Sequence, residues 1–275
     1  MKKLFIILIA CLFSIAAEAQ QESILHVSLV NKINGEIKDF TTDNLGNIYL
    51  LNATGQIKKV SESGDSIAVY NNVKRYGTVS SIDATNPLKI LVFYKDFSTI
   101  VVLDRLLSVR VVIDLRKQNI LQVTAVTTSY DNNIWLYDEL DNKLKKIDDN
   151  GNVVFESTDF RQIFDAVPLP TAMYDRDGQL YLYDLAKGLL VFDYYGAKKN
   201  NFQLLHVADL QVLDKNTITA RDSAHIILYK PATLQLLSFT AFPNQKIFQK
   251  IKFNGNKIYC LNKNGALEIY AVEGK

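Results

Sequence analysis

Residues 47–66 read NIYLLNATGQIKKVSESGDS, and residues 133–152 read NIWLYDELDNKLKKIDDNGN. Both segments run through an apolar strand, a polar turn, a second strand that carries two lysines, and a further turn that contains glycine. A segment that returns in this way indicates a repeat architecture, and the length of the repeat decides which one.

Six copies of the pattern follow one another when each is anchored just before or at the start of its central apolar strand. The anchors, spaced 38–46 residues apart, are Asn47, Lys89, Asn133, Gln179, Thr217 and Lys257. Each copy holds four short strand-like segments separated by turns rich in Asp, Asn and Gly, which accept the backbone conformations that turns require. Four short strands in about 40–45 residues are typical of a propeller blade. The sequence therefore predicts an all-β, six-bladed β-propeller with four antiparallel strands per blade.

The two ends of the repeat array predict how the ring closes. The sixth copy stops after its third strand, and a spare strand at residues 23–31 precedes the first copy. We predict that this N-terminal strand pairs with residues 266–272 and completes the last blade, which covers two open strand edges. The middle strands are apolar on both faces, so we expect them to be buried between blades, with the 14 Tyr and 14 Phe filling the gaps.

Residues 1–19 are predicted to be a signal peptide rather than part of the fold. Two lysines precede an apolar run of 14 residues, and residues 17–19 (AEA) fit the small-x-small cleavage pattern. This predicts an exported protein, periplasmic, associated with the outer membrane or extracellular, with one propeller domain at residues 20–275. A second interpretation is a lipoprotein signal with a lipid anchor at Cys11. No later segment is apolar enough to span a membrane.

Composition and motifs narrow the function classes. A net charge of +2 argues against a dedicated nucleic-acid binder, which normally carries a basic face. The chain has no G-x-S-x-G, G-x-x-x-x-G-K-[ST] or G-x-G-x-x-G motif, and its three histidines, His26, His206 and His225, are far apart. Cys260 is the only cysteine after the predicted signal peptide, so no intrachain disulfide is expected. We predict neither a catalytic constellation nor a cofactor.

One pattern in the repeats resembles a known family. The pattern D-x-x-G-N-I-Y followed by G-x-I-x-K resembles NHL-type six-bladed propellers. In the first copy it is carried by Asp43, Gly46, Asn47, Ile48, Tyr49, Asn52, Gly55, Ile57 and Lys59. The third copy matches with Asp131, Asn133, Ile134, Asp138 and Lys145, and the fourth with Asp177, Gly178, Leu180, Tyr181 and Asp184. The resemblance implies the fold, and the family includes binding proteins and a few enzymes, so it does not choose a function.

Two sets of polar residues are candidates for a site. One set ends the second strand of the copies and includes Asp138, Asp184 and Asp222; these could form a polar ring, but turn chemistry favours bonds to the backbone of their own turns. The other set lies on the innermost strands, where lactonase-like propellers place a metal. It comprises Asp39, Ser81, Ala125, Thr171, Asp209 and Lys250. Two carboxylates and a lysine make a poor cation cage, so we predict no metal there.

Two connections between blades are candidate partner sites. Residues 158–170 (TDFRQIFDAVPLP) carry the apolar side chains Phe160, Ile163, Phe164, Val167 and Leu169. Exposed apolar clusters mark partner sites, although such a segment could equally pack against a blade. The second candidate, expected on the same face, is Lys74-Arg75-Tyr76, which suits an interface or an ordinary solvated turn.

These features together favour a non-catalytic exported propeller that binds protein partners in the cell envelope. One setting would be an accessory of an envelope assembly or secretion machine. The alternative is a small-ligand-binding or hydrolytic, lactonase-like propeller with its site at the central pore.

Overall fold

The computed structural model describes residues 23–71, 73–240, 242 and 248–273. The predicted signal peptide and Cys11 lie outside these residues. The regular secondary structure of the described chain is nearly all β-strand and forms six sheets around one axis. The predicted six-bladed β-propeller, with four antiparallel strands per blade, is therefore confirmed.

Each blade runs from an innermost strand at the axis to an outermost strand at the rim. Blade one contains β3 (Ile37–Thr42), β4 (Ile48–Asn52), β5 (Ile57–Val60) and β6 (Ser66–Tyr70). Blade two contains β7 (Ser81–Asn86), β8 (Lys89–Tyr94), β9 (Thr99–Leu103) and β10 (Val109–Asp114). Blade three contains β11 (Val123–Thr128), β12 (Ile134–Asp138), β13 (Lys143–Ile147) and β14 (Val153–Glu156). Blade four contains β15 (Ala172–Arg176), β16 (Gln179–Asp184), β17 (Gly188–Phe192) and β18 (Lys198–Phe202). Blade five contains β19 (Ala208–Asp214), β20 (Thr217–Arg221), β21 (Ile226–Lys230) and β22 (Gln235–Thr240). Blade six contains β23 (Phe248–Asn254), β24 (Lys257–Asn262), β25 (Leu267–Val272) and, at its rim, β2 (Val27–Ile33).

Helix is confined to short segments within the blade turns and connections. These are α1 (Val73–Tyr76) and the 3-10 turns η1 (Lys95–Phe97), η2 (Leu115–Gln118) and η3 (Phe160–Gln162). None of the helices in the described ranges has the length and apolar character needed to cross a membrane.

The N-terminal segment closes the ring. Strand β2 pairs antiparallel with β25, with Val27 opposite Val272, and the Glu273 amide donates a hydrogen bond to the His26 carbonyl at 3.0 Å. The predicted pairing is confirmed, but residues 23–31 do not form one strand. The short strand β1 (Ser23–Ile24) instead pairs in parallel with β22 of blade five. The segment therefore joins the last two blades.

Aromatic side chains fill the gaps between blades, as expected. Trp135 and Tyr137 of blade three are fully buried, in one cluster with Leu180, Leu182 and Phe192 of blade four. Burying side chains of this size contributes roughly 2–3 kcal/mol each. The middle strands are apolar on both faces because each face meets a different neighbouring blade.

The strand order gives the propeller two faces. Turns between the first and second strands, and between the third and fourth, lie on what we call the hairpin face. Turns between the second and third strands, together with all connections between blades, lie on the opposite face, which we call the connection face. The innermost strands surround the central axis, and we call the space between their inward-facing side chains the central channel.

Candidate functional site

The predicted polar set at the ends of the second strands shapes turns on the connection face. The Asp138 carboxylate accepts a hydrogen bond from the Leu140 amide at 3.1 Å, and Asp184 accepts one from the Ala186 amide at 2.8 Å. Asp222 does the same with the Ala224 amide at 2.7 Å. These are Asx turns, so each carboxylate is engaged within its own turn rather than in a ring.

Two of these carboxylates make further contacts that stiffen the connection face. Asp138 is buried and accepts a hydrogen bond from the Lys145 ammonium at 2.8 Å. The second oxygen of Asp184 accepts a hydrogen bond from the Leu169 amide at 2.7 Å. Asp184 therefore fixes its own turn and also the end of the preceding connection.

The apolar connection at residues 158–170 is partly packed and partly exposed. Phe160 is fully buried and stacks on Phe192, with ring centroids 5.0 Å apart, and Phe164 lies against the Phe160 ring at 5.4 Å. The expectation that Phe160 is available to a partner is wrong, because the gap between blades three and four takes up its ring. Phe164 and Val167 are partly buried in the same cluster. Ile163 and Leu169 remain 41% and 56% exposed.

The second predicted connection places only one described side chain at the surface. Tyr76, in α1, is buried with its ring 5.4 Å from that of Tyr94, so its expected exposure is wrong. Arg75 is exposed and its guanidinium lies 5.4 Å from the Tyr76 ring centroid. The Lys74 side chain lies outside the described part of the structure.

Seven large apolar side chains are exposed on the connection face, and we call them the apolar arc. They are Phe97, Leu121, Leu140, Ile163, Leu169, Leu185 and Leu205, each 41–56% exposed. They come from consecutive turns and connections of blades two, three and four, including the connection into blade five. Elsewhere on the described part of this face, no large apolar side chain is exposed to this extent. Exposed apolar side chains that are grouped on one face are candidates for an interaction site.

The turn chemistry explains why the arc points into solvent. Leu185 directly follows Asp184, and Leu140 lies two residues after Asp138. Both leucines therefore lie at the tips of tight turns, where no strand can cover them. The backbone N–H of Leu169 donates a hydrogen bond to the Asp184 carboxylate, which holds this residue in place. The carboxylates predicted as site residues thus position the apolar side chains.

The strand pairing defines successive rings of side chains in the central channel. At the level nearest the connection face, Asp39, Ser81, Ala125 and Lys250 occupy equivalent positions, as predicted. In blades four and five the equivalent residues are Ala172 and Ala208 rather than Thr171 and Asp209. Asp209 is displaced because it sits in a bulge of β19 with φ of 53°.

Charged groups at this level are paired. The Lys250 ammonium lies 2.6 Å from the Asp39 carboxylate, and Asp209 pairs with Arg221 and accepts a hydrogen bond from the Ile251 amide at 2.7 Å. An open cavity of about 450 Å³ lies here. Its lining residues are Lys38, Asp39, Leu51, Val79, Ser80, Asp209, Gln249 and Lys250.

Two residues further along five of the innermost strands, and three further along β19 because of its bulge, lies a second ring, which we call the middle ring. It consists entirely of polar residues: Thr41, Asp83, Thr127, Tyr174, Gln211 and Lys252. Hydrogen bonds tie neighbouring innermost strands together at this level, including Thr127 Oγ1 to Asp83 at 2.9 Å and Lys252 Nζ to Thr41 Oγ1 at 2.5 Å. The sequence analysis missed this ring, although the period of two along a strand, applied to the first ring, would have found most of it.

The channel shifts the ionisation of two middle-ring groups. Burial lowers the pKa of Lys252 to about 8, and the nearby charges of Lys250 and Arg176 act in the same direction. Burial opposes ionisation of Asp83, but hydrogen bonds from Thr85 and Thr128 and the charge of Arg176 outweigh it and lower the pKa. The folded protein therefore stabilises the negative charge of Asp83, whereas it disfavours the positive charge of Lys252.

Metal ligands do not cluster in the part of the chain that the structure describes. No group of three or more His, Cys, Asp and Glu side chains there could hold a metal ion. The three histidines lie away from the innermost strands, with His225 in a turn of blade five, 3.3 Å from Asp222.

Neither a family model nor a curated protein matches this chain. Among solved structures, virginiamycin B lyase from Staphylococcus aureus is similar with a TM-score of 0.59 and 11% identity, over 93% of this chain and 97% of that one. A streptogramin B lyase gives a TM-score of 0.58 and 13% identity over 85% and 78%. The β-propeller domain of Cps50 (Swd1) from Myceliophteria thermophila gives 0.61 and 8% over 90% and 100%. At such low identity the likeness shows the propeller fold alone.

Proposed function

We propose that this protein is a non-catalytic, exported β-propeller that binds a protein partner of the cell envelope through the apolar arc. The observation that carries the proposal is the confinement of seven exposed apolar side chains to three adjacent blades of one face. A closed ring holds these turns rigidly, so a partner would bind a largely preformed surface at a low cost in conformational entropy.

The polar groups around the arc suit the rim of a protein interface. Arg116 is paired with Asp114 at 2.8 Å, and Arg161 with Asp159 at 2.6 Å, both on connections that border the arc. Because these charges are already paired within their own turns, a partner can cover the apolar side chains without stripping isolated charges of water. An apolar centre with a polar rim is the usual anatomy of a protein interface.

The cellular setting rests on the predicted signal peptide at residues 1–19. A bacterial-type signal directs the propeller to the envelope, where an assembly or secretion machine is the setting that we favour. The proposal covers a lipid anchor at Cys11 equally, because either type of signal would export the propeller.

A pulldown from envelope extracts tests the arc. The wild type is compared with the double variant Ile163→Asp, Leu169→Asp, which changes exposed side chains and leaves the packed Phe160 in place. The matched control is Leu45→Asp, Leu88→Asp, because these leucines are 70% and 61% exposed on the hairpin face. We expect the arc variant to lose a partner that the wild type and the control both retain. If all three proteins recover the same partners, the arc is not the binding surface.

The alternative function, a small-ligand-binding or hydrolytic propeller, is favoured by one observation, the polar cavity of about 450 Å³ at the mouth of the channel. Elemental analysis of the purified protein separates a metal-dependent hydrolase from the binding protein. Stoichiometric calcium or zinc would favour the hydrolase, since hard cations need several oxygen ligands held together.

A further inference from the structure

Five of the six blades disturb the outer edge of their outermost strand with a β-bulge. At the bulge, the outermost strand holds one residue more than the strand that it pairs with. The bulges lie in β2, β6, β10, β14 and β18. A bulge twists an edge and interrupts its row of hydrogen-bonding groups, which discourages pairing with another chain.

Strand β22 of blade five does not have this protection. It pairs with β21 without a register shift, from Ile226 opposite Phe239 to Lys230 opposite Gln235. It also contains no charged residue, whereas four of the bulged strands do. A regular, uncharged edge is the kind to which a further strand adds.

Strand β1 shows that this edge accepts a strand. It makes blade five the only five-stranded sheet in the described part of the chain. Ser23 lies opposite Phe239 and Ile24 opposite Thr240, and the Leu25 amide donates a hydrogen bond to the Thr240 carbonyl at 3.2 Å. Strand β1 has only two residues, and Ile24 stays 63% exposed. Because so few pairs and so little burial hold β1, a longer strand can replace it.

The edge of β22 continues beyond the two residues that β1 covers. Backbone groups along a strand point to the two sides in alternation, so the N–H and C=O groups of Leu236 and Ser238 point to the same side as the Thr240 carbonyl. None of the described strands pairs with these two residues on that side. Leu236 and Leu234 are 44% and 69% exposed, which favours apolar, uncharged side chains on an added strand.

We propose that β22 binds an extended, uncharged segment of a partner protein as an added β-strand, which displaces β1 and pairs along Gln235–Thr240. Main-chain hydrogen bonds supply the affinity in complexes of this type. The edge of β22 is a different surface from the apolar arc, so neither proposal depends on the other. The arc variant Ile163→Asp, Leu169→Asp is therefore expected to bind an added strand as the wild type does.

Hydrogen exchange of the chain from Gln20 onwards tests the proposal, with an acetylated and amidated hexapeptide of alternating threonine and valine as the probe. The control peptide has proline in place of two threonines, because proline cannot donate to a strand ladder. We expect the probe at saturation to slow the exchange of the Leu236 and Ser238 amides at least tenfold, and the control peptide to leave it unchanged. Exchange that the probe does not slow, or that both peptides slow equally, overturns the proposal.

Two variants assign the binding to β22, with the probe affinity measured by calorimetry. Ser238→Pro removes an outward amide, whereas the pairing with β21 uses the alternate residues, and it is expected to lower the affinity at least tenfold. Leu236→Lys, which adds a charge to the edge and serves should Ser238→Pro fold poorly, is expected to lower it at least threefold. The matched control Val154→Lys, at a 52% exposed position on the rim of blade three, is expected to leave it unchanged. Unchanged affinity in the folded β22 variants overturns the proposal.

A chain that begins at His26 lacks β1 and identifies the occupant of the edge. We expect it to bind the probe at least threefold more tightly than the chain from Gln20, because no strand has to be displaced. Binding by the shortened chain alone assigns the edge to the chain's own N-terminal residues and overturns a partner strand. Self-association of the chain from Gln20 in light scattering, abolished by Ser238→Pro, assigns the edge to a second copy and overturns it as well.

Discussion

Replacing Lys252 with methionine is expected to make the folded protein more stable at pH 7. Methionine keeps a flexible, unbranched side chain of similar length and removes the ammonium. The gain arises because desolvation of the ammonium and the charges of Lys250 and Arg176 outweigh the attraction of Asp83 and Asp39, with the Thr41 hydroxyl as its hydrogen-bond acceptor.

The size of the effect follows from the pKa of Lys252. Its ordinary value is 10.5, and the fold lowers it to about 8. At pH values below about 8 the lysine is charged in both states, and the folded state bears a cost of about 3 kcal/mol for that charge. Between pH 8 and pH 10.5 the unfolded state binds more protons, so the wild type regains this stability as the pH rises. Losing the hydrogen bond to Thr41 costs about 1 kcal/mol, which leaves a net gain of about 2 kcal/mol at pH 7.

Urea denaturation at pH 7 and pH 10, followed by the fluorescence of Trp135, measures the free energy of unfolding of both proteins. Comparing variant with wild type at each pH cancels the titration of the other lysines and tyrosines. We expect Lys252→Met to be more stable at pH 7, and the advantage to shrink at pH 10. A variant that is less stable than the wild type at pH 7, with a difference independent of pH, would refute the electrostatic cost assigned to Lys252.

Three further predictions concern the propeller itself. Asp175→Asn is expected to lower the free energy of unfolding by about 2 kcal/mol, because this carboxylate accepts four hydrogen bonds, one of them from the indole of Trp135; equal urea midpoints for variant and wild type would contradict this. Gly188→Ala is expected to lower the free energy of unfolding by more than about 3 kcal/mol, because the new Cβ would lie 2.3 Å from a backbone oxygen. The control Gly46→Ala, at a similar positive φ but with open space around it, is expected to cost only about 1 kcal/mol. Equal losses of the two variants in thermal denaturation would show that the contact is relieved. Deleting residues 23–33 is expected to lower the melting temperature of the whole ring and to promote aggregation through the exposed edge of β25; an unchanged melting temperature in light-scattering-monitored heating would argue against closure by this strand.

The fold could be predicted from the sequence because the pattern of one blade is repeated six times. The anchors at Asn47 and Lys257 and those between them precede or begin the second strand of every blade, and the missing fourth strand of the last copy predicts the closure. The separate pairing of β1 with blade five could not be predicted, since nothing in residues 23–31 marks a change of partner. Local strand chemistry specifies a strand but leaves its partner to the tertiary fold.

The candidate sites were less predictable, for two physical reasons. Whether Phe160 is buried and Leu169 exposed depends on the width of a gap between blades, which the loop sequence does not encode. The middle ring depends on strand register, and the bulge at Asp209 shifts the phase of β19 by one residue relative to a regular count. Lys252 looks like any strand lysine in the sequence, and only the closed ring places its charge between the innermost strands.

Blade six is built from β2 on the N-terminal side of the chain and from β23 to β25 on its C-terminal side. Because Val27 lies opposite Val272, a short linker could join β25 directly to β2 in place of β1, and the chain could be opened at another connection between blades. Such a circular permutant would keep the four strands of every blade while changing which blade the ribosome delivers last. The connection between blades one and two is a suitable opening, since it lies outside the apolar arc. The propeller thereby separates the arrangement of its surfaces in space from the order in which its segments are made.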